Sequence, residues 1–164
     1  MKRVLIVGGG TGNTFVANAL DKRRFEVTLL SQSPKHVFQP ALLYVAFRNA
    51  KPDFTRDERR LLARHVRFVE ETVTRIDLQD RTATTGSGHR YDYDSVVVGT
   101  GVTTDPSQIP GLSEVNAQFG DYHTNVPQAQ KVWASLDAFQ GGTIALGQSS
   151  QKEISGFQSI PAAA

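Results

Sequence analysis

Val4-Leu5-Ile6-Val7-Gly8-Gly9-Gly10-Thr11-Gly12-Asn13 is the stretch that decides the fold. Four apolar residues without alternation read as a strand buried on both faces, and the glycines that stop it read as a tight turn. Thr11 to Lys22 then carries helical spacing, with Phe15 and Val16 followed by Ala19 and Leu20. Phe25 to Leu30 returns to strand character around Val27, Leu29 and Leu30. Strand, glycine turn, helix and strand make a βαβ unit. The expected fold is therefore α/β: a Rossmann-like, doubly wound parallel sheet.

Within that unit the glycines have separate tasks. Gly8 permits the tight turn, and Gly10 lets a pyrophosphate approach the backbone. Thr11 and Gly12 open the helix, whose unpaired amides and positive dipole end suit phosphate oxygens. The third glycine position is Asn13, where glycine ordinarily allows close packing of helix on strand. The sharper reading is a nucleotide site; the plainer one is a βα turn with no ligand. At the end of the second strand, the acid that would hold ribose hydroxyls is replaced by Ser31, in Leu30-Ser31-Gln32-Ser33. Ser31 tolerates FAD or NADP better than NAD, and Lys35 and His36 lie close by for a 2′-phosphate.

Beyond the unit, residues 31–38 read as polar loop, and Pro40 to Arg48 as a short apolar helix with proline in its first turn. Thr55-Arg56-Asp57-Glu58 fits a capping box, starting a helix that runs to about Arg64. Val66 to Val69 reads as a third strand, and Ser95 to Val98 as a fourth, buried strand ending in Gly99-Thr100-Gly101. Between them, Thr72 to Tyr93 breaks at Asp80 and at Gly86-Ser87-Gly88, which reads as a small antiparallel β-meander. A loop with Pro106, Pro110 and Gly111 leads to a helix from Pro127 to Phe139. Its stripe is Val126, Ala129, Val132, Trp133, Leu136 and Phe139. Thr143 to Leu146 reads as a last strand, so the expected division is a nucleotide-binding domain over 1–146 and an irregular tail over 147–164.

Composition narrows the function classes. The chain has 164 residues, 39% hydrophobic and 21% charged, an ordinary globular mixture long enough for a real core. It has no cysteine, which removes disulfides, thiolate metal sites and cysteine nucleophiles, and suits a reducing, cytoplasmic setting. Eighteen Lys and Arg against sixteen Asp and Glu give a net charge of +2, too small an excess to point at nucleic acid. Arg56, Arg59, Arg60, Arg64 and Arg67 lack interleaved aromatics and read as a solvated helix face. No apolar run approaches the ~20 residues of a spanning helix, and the apolar run after Met1-Lys2-Arg3 is too short for a secretory signal. The histidines show no metal-ligand spacing, His123 beside Asp121 reads as solvated loop, and no catalytic residue is identified.

Three landmarks carry a family resemblance. His36-Val37-Phe38-Gln39-Pro40-Ala41-Leu42-Leu43-Tyr44-Val45-Ala46 resembles the segment after the second strand in type II NADH dehydrogenases and sulfide:quinone oxidoreductases. Tyr91-Asp92-Tyr93-Asp94-Ser95-Val96-Val97-Val98-Gly99-Thr100-Gly101 is similar to their Y-D-Y-L-V-I-A-T-G stretch, with Gly99 where alanine is usual. Ile109-Pro110-Gly111 resembles the next landmark. The resemblance implies a bound FAD, its pyrophosphate over Gly8, Gly10, Thr11, Gly12 and Asn13 and its ribose near Ser31 and Gln32. It also implies adenine near the backbone of Val73, with Thr100, Gly101 and the Phe38-Gln39-Pro40 turn bordering the flavin.

The departures are equally specific. In the resembling families a second Rossmann unit binds NADH or frames the sulfide site, and redox cysteines carry sulfur. No second glycine fingerprint follows Leu146, and Tyr122-His123-Thr124 stands where the sulfide oxidisers place a cysteine. The resemblance thus implies an oxidoreductase-like FAD domain not competent for the full reaction alone, with a partner chain or a homo-oligomer supplying missing elements. Two other readings stay open. One is an NAD(P)-binding protein of the atypical short-chain reductase type, through Gly9-Gly10-Thr11-Gly12-Asn13-Thr14 with Phe15 at its last glycine position. The other is a non-catalytic nucleotide-binding or scaffold protein.

Overall fold

A computed structural model of the chain describes residues 1–48 and 55–144. In chain order the elements are β1 (Lys2–Val7), α1 (Thr11–Ala19), β2 (Phe25–Ser31), β3 (Lys35–Val37), α2 (Leu42–Arg48), β4 (Thr55–Asp57), α3 (Glu58–Leu61) and β5 (Val66–Glu70). There follow β6 (Val73–Asp77), β7 (Thr82–Thr85), β8 (Arg90–Asp92), β9 (Ser95–Val98), α4 (Leu112–Phe119) and α5 (Val126–Asp137). The main sheet has the order β5-β2-β1-β9, every pairing in it parallel. Val4 stands opposite Val27, and Ile6 opposite Leu29. Strands β6, β7 and β8 form the expected antiparallel meander as a separate sheet.

Strand period two divides the core into two layers. Val4, Ile6, Val27 and Leu29 pack with Ala17 of α1 on one face. Leu5, Val7 and Leu30 pack with Ala83 and Tyr93 of the meander on the other. Ile6 and Leu29 are wholly buried, each burial contributing roughly 1.5–3 kcal/mol. Tyr93 keeps its hydroxyl satisfied by donating to the Asp77 carbonyl at 3.0 Å. A third, smaller cluster joins Leu42, Val45 and Ala46 of α2 to Ala129 of α5.

Several elements differ from the sequence expectation, each for a local reason. Helix α1 ends at Ala19 because Leu20 is already extended, and its buried residues are Asn13, Thr14 and Ala17 rather than the Phe15 stripe. Phe15 itself is 75% exposed. The loop over 31–38 contains β3, which pairs antiparallel with β4, Lys35 opposite Asp57. Thr55 is therefore a strand residue, not a cap. Asp57 caps α3, accepting from the Arg59 amide at 2.9 Å, and α3 stops at Leu61. The arginine run consequently spans two strands, a short helix and a turn, with Arg59 bound to Glu70 at 2.9 Å over the Phe68 ring.

Helix α4 was not expected. It is framed by Gly111 and Gly120, both at positive φ, and buries none of its residues, although Leu112, Val115 and Phe119 stand at helical spacing; its eight residues follow directly on a proline-containing loop. In α5 the N-cap is Asn125, accepting from the Gln128 amide at 3.0 Å, and the end of the proposed stripe, Leu136 and Phe139, is exposed. Trp133 is half-buried rather than core. Of the expected last strand, Thr143 and Ile144 have no regular structure, while Ala145, Leu146 and the 147–164 tail lie outside the described residues. Among the described residues no helix is long and apolar enough to cross a membrane.

Candidate functional site

The sheet order places the candidate site. From β1 the chain crosses to β2 on one side, and β9 flanks β1 on the other, so connections diverge between β1 and β9. In open α/β sheets ligands bind outside the strand C-termini at such a switch point. Gly8 leaves β1 there at φ 106°, and a Cβ on it would lie 2.4 Å from the Gly99 carbonyl oxygen. Both facts demand glycine. Gly10 and Gly12 differ: each is exposed, and a Cβ on either would meet no atom within 4 Å. Bare backbone facing open space at the N-terminus of a nine-residue helix fits a pyrophosphate.

Asn13, at the third glycine position, is buried and works on the turn itself. Its side-chain amide donates to the carbonyls of Val7 and Gly8, both at 2.9 Å, and of Gly99 at 3.3 Å. A Cβ on Gly99 would fall 2.4–2.6 Å from three atoms of that amide. Two sequence departures, asparagine for glycine and glycine for alanine, are thus one compensated packing solution. Thr100 and Gly101, the latter at φ 77°, are exposed just beyond it.

Below the turn lies a buried polar network that sequence reasoning missed. Glu58 is fully buried, and its carboxylate accepts from His36 Nδ1 at 2.7 Å and contacts the Thr14 hydroxyl. His36, 8% exposed, brings Nε2 to 3.1 Å from the hydroxyl of Thr11, the first residue of α1. The Glu58 amide is tied to the Pro34 carbonyl at 2.7 Å, which fixes α3 against the loop after β2. Glu58 satisfied a local capping pattern so well that nothing in the sequence pointed it inward.

Ser31 is buried at the end of β2 beneath Gly9, whose Cβ would lie 2.7 Å from its Oγ. That hydroxyl donates to the Ser33 carbonyl at 2.9 Å, while Gln32 is exposed. Val73 opens β6 and packs on the Val7–Leu30 layer. Phe38, Gln39 and Pro40 form an exposed turn leading into α2. His123 is also exposed, and Asp121 accepts from the amides of His123 and Thr124, a turn rather than an acid–base pair. Among the described residues no cluster could hold a metal ion.

Comparison with known proteins agrees with this geometry. Residues 2–146 match the family described as pyridine nucleotide-disulphide oxidoreductase. The mitochondrial sulfide:quinone oxidoreductase of Dictyostelium discoideum is 26% identical over 151 residues, covering 88% of this chain and 33% of that protein. The type II NADH:quinone oxidoreductase NdhA of Mycobacterium tuberculosis is 34% identical over 105 residues, 60% of this chain and 22% of that one. The crystal structure of the sulfide:quinone oxidoreductase from Aquifex aeolicus superposes with a TM-score of 0.70 at 25% identity, covering 84% of this chain and 32% of that one. The chain spans about a third or less of the length of these relatives.

Proposed function

Because the chain belongs to the pyridine nucleotide-disulphide oxidoreductase family, whose members are FAD-dependent, we propose that it binds FAD as part of a sulfide:quinone or NADH:quinone type flavoprotein. The observation that carries this reading is the glycine turn at the β1–β9 switch point, open over Gly10 and Gly12 and braced from beneath. Gly8, Gly10, Thr11, Gly12 and Asn13 form or support the pyrophosphate cradle. Ser31 and Gln32 border the ribose, Val73 the adenine, and Phe38, Gln39, Pro40, Thr100 and Gly101 the flavin. Bound FAD supplies two-electron redox chemistry; the residues named hold and orient it.

These 164 residues by themselves are expected to show little sulfide:quinone or NADH:quinone turnover. They contain no cysteine to carry sulfur. Positioning two reactants is worth roughly 7–11 kcal/mol of a barrier, so without a nicotinamide-binding unit the rate falls by many orders of magnitude. A partner chain or a second copy completing the site restores turnover in this reading.

The test is the absorption spectrum of the purified chain with calorimetric titration of FAD and NADPH, on wild type and Gly10→Val. Flavin binding in the wild type, abolished in a still-folded Gly10→Val, is the expected result, since the open space around Gly10 lets the protein accept a branched side chain that phosphate cannot. Tight NADPH binding without flavin affinity would replace this reading with the reductase one.

A further inference from the structure

Thr11, His36 and Glu58 form one polar relay from the exposed start of α1 into the interior. We propose that His36 is a positioning residue for the cofactor's pyrophosphate, taking up a proton from solvent as the phosphates bind and so turning the Thr11 hydroxyl toward them. This rests on the FAD reading above. The argument is a count of protons. The Glu58 carboxylate accepts from Nδ1, so with a single ring proton that proton sits on Nδ1 and Nε2 is an acceptor. Thr11 must then donate inward, and its hydroxyl offers only lone pairs to the open side where phosphate oxygens, also acceptors, would lie. A second ring proton reverses the polarity. Nε2–H donates to Thr11 Oγ1, the hydroxyl proton is released to a phosphate oxygen, and Nδ1–H stays on Glu58. Each donor then meets an acceptor, and a positive charge is placed one side chain from the dianion.

The surroundings are consistent with that change. The anion touching the ring is Glu58, from α3. Arg56 stands opposite His36 in the β3–β4 pairing, its guanidinium donating to the Thr55 carbonyl at 3.1 Å, and Lys35 and Asp57 are the exposed pair next in register. Thr14 faces Glu58 from α1 and carries no charge. The relay therefore joins one buried carboxylate to one buried imidazole, and only Thr11 reaches the ligand side.

Titration calorimetry of FAD into the full chain at about pH 7.5, in buffers of different ionisation enthalpy, gives the protons taken up per cofactor. Net uptake, of at most about one proton, is expected for wild type. His36→Gln, whose amide N–H can still donate to Thr11, should bind FAD within about tenfold of wild type with no uptake. Thr11→Val, at an exposed position, should also abolish uptake and serves if His36→Gln does not fold. FAD binding without proton uptake in wild type, or uptake unchanged in these variants, overturns the proposal and leaves the FAD reading standing. Failure of the wild-type chain to bind FAD overturns both.

Discussion

Replacing Gly99 by alanine should act on stability through Asn13, which makes the pair testable by a double-mutant cycle. The three atoms nearest an added Cβ all belong to the Asn13 amide, at 2.4–2.6 Å. Such distances cannot be absorbed in place, so the amide has to rotate out of the turn. It then loses its bonds to Val7 and Gly8 at 2.9 Å and to Gly99 at 3.3 Å. At roughly 0.5–1.5 kcal/mol for each good bond, the loss is about 2–3 kcal/mol. The Val7 carbonyl keeps one partner, the Gly99 amide at 2.9 Å, which limits the damage to one orphaned lone pair there. Asn13→Gly forfeits the same bonds, with a few tenths of a kcal/mol more for glycine in a helix. In the double variant the bonds are already gone and the alanine methyl finds the space vacated. It should therefore match Asn13→Gly alone, about 2 kcal/mol more stable than the sum of the two single effects. Urea unfolding followed by far-ultraviolet circular dichroism, with m unchanged across the four proteins, measures this. A double variant additive within ~0.5 kcal/mol, or a harmless Gly99→Ala, would refute the compensated pair.

Gly8→Ala should cost at least about 3 kcal/mol, because a positive φ and a backbone clash with Gly99 coincide there; a thermal midpoint within a degree or two of wild type would contradict it. Glu58→Ala should destabilise by roughly 3 kcal/mol, leaving His36 and the Thr14 hydroxyl with an empty space between them, whereas Glu58→Gln should cost about half as much. Equal denaturation midpoints for the two variants would show that the network does not brace α3. The Arg3 amide, donating at 2.6 Å and aided by the Arg3 charge, holds the Asp94 carboxyl below its ordinary 3.8. A depressed folded value means a stabilising contribution that is present above the ordinary value and is lost as pH falls through the folded one. Asp94→Asn should therefore flatten the acid limb of the stability profile below about pH 4; an unchanged limb would count against that contact.

The parts legible in sequence were those in which local pattern and tertiary burial agree. Val4-Leu5-Ile6-Val7 became the buried strand β1 because a continuous apolar run has its stable place between two layers. Ser95-Val96-Val97-Val98 paired beside it as β9 at the end of the sheet order among the described residues, with Ser95 and Val98 exposed rather than buried. The meander was legible because Asp80 and Gly86-Ser87-Gly88 punctuate it at turns. The illegible parts were those in which a polar residue serves a distant partner. Asn13 looked like a weakened fingerprint until Gly99, 86 positions away, supplied the space it needs. Glu58 looked like a helix cap, yet its partners are His36, 22 positions earlier, and Thr14, 44 positions earlier. Both cases follow one rule: a buried polar group is stable only when paired, so its position is chosen by the fold rather than by its neighbours in the chain. A local reading assigns such residues to the nearest motif they fit, and errs most at the strand C-terminal end of the sheet, where Asn13, His36 and Glu58 are buried together beneath the glycine turn.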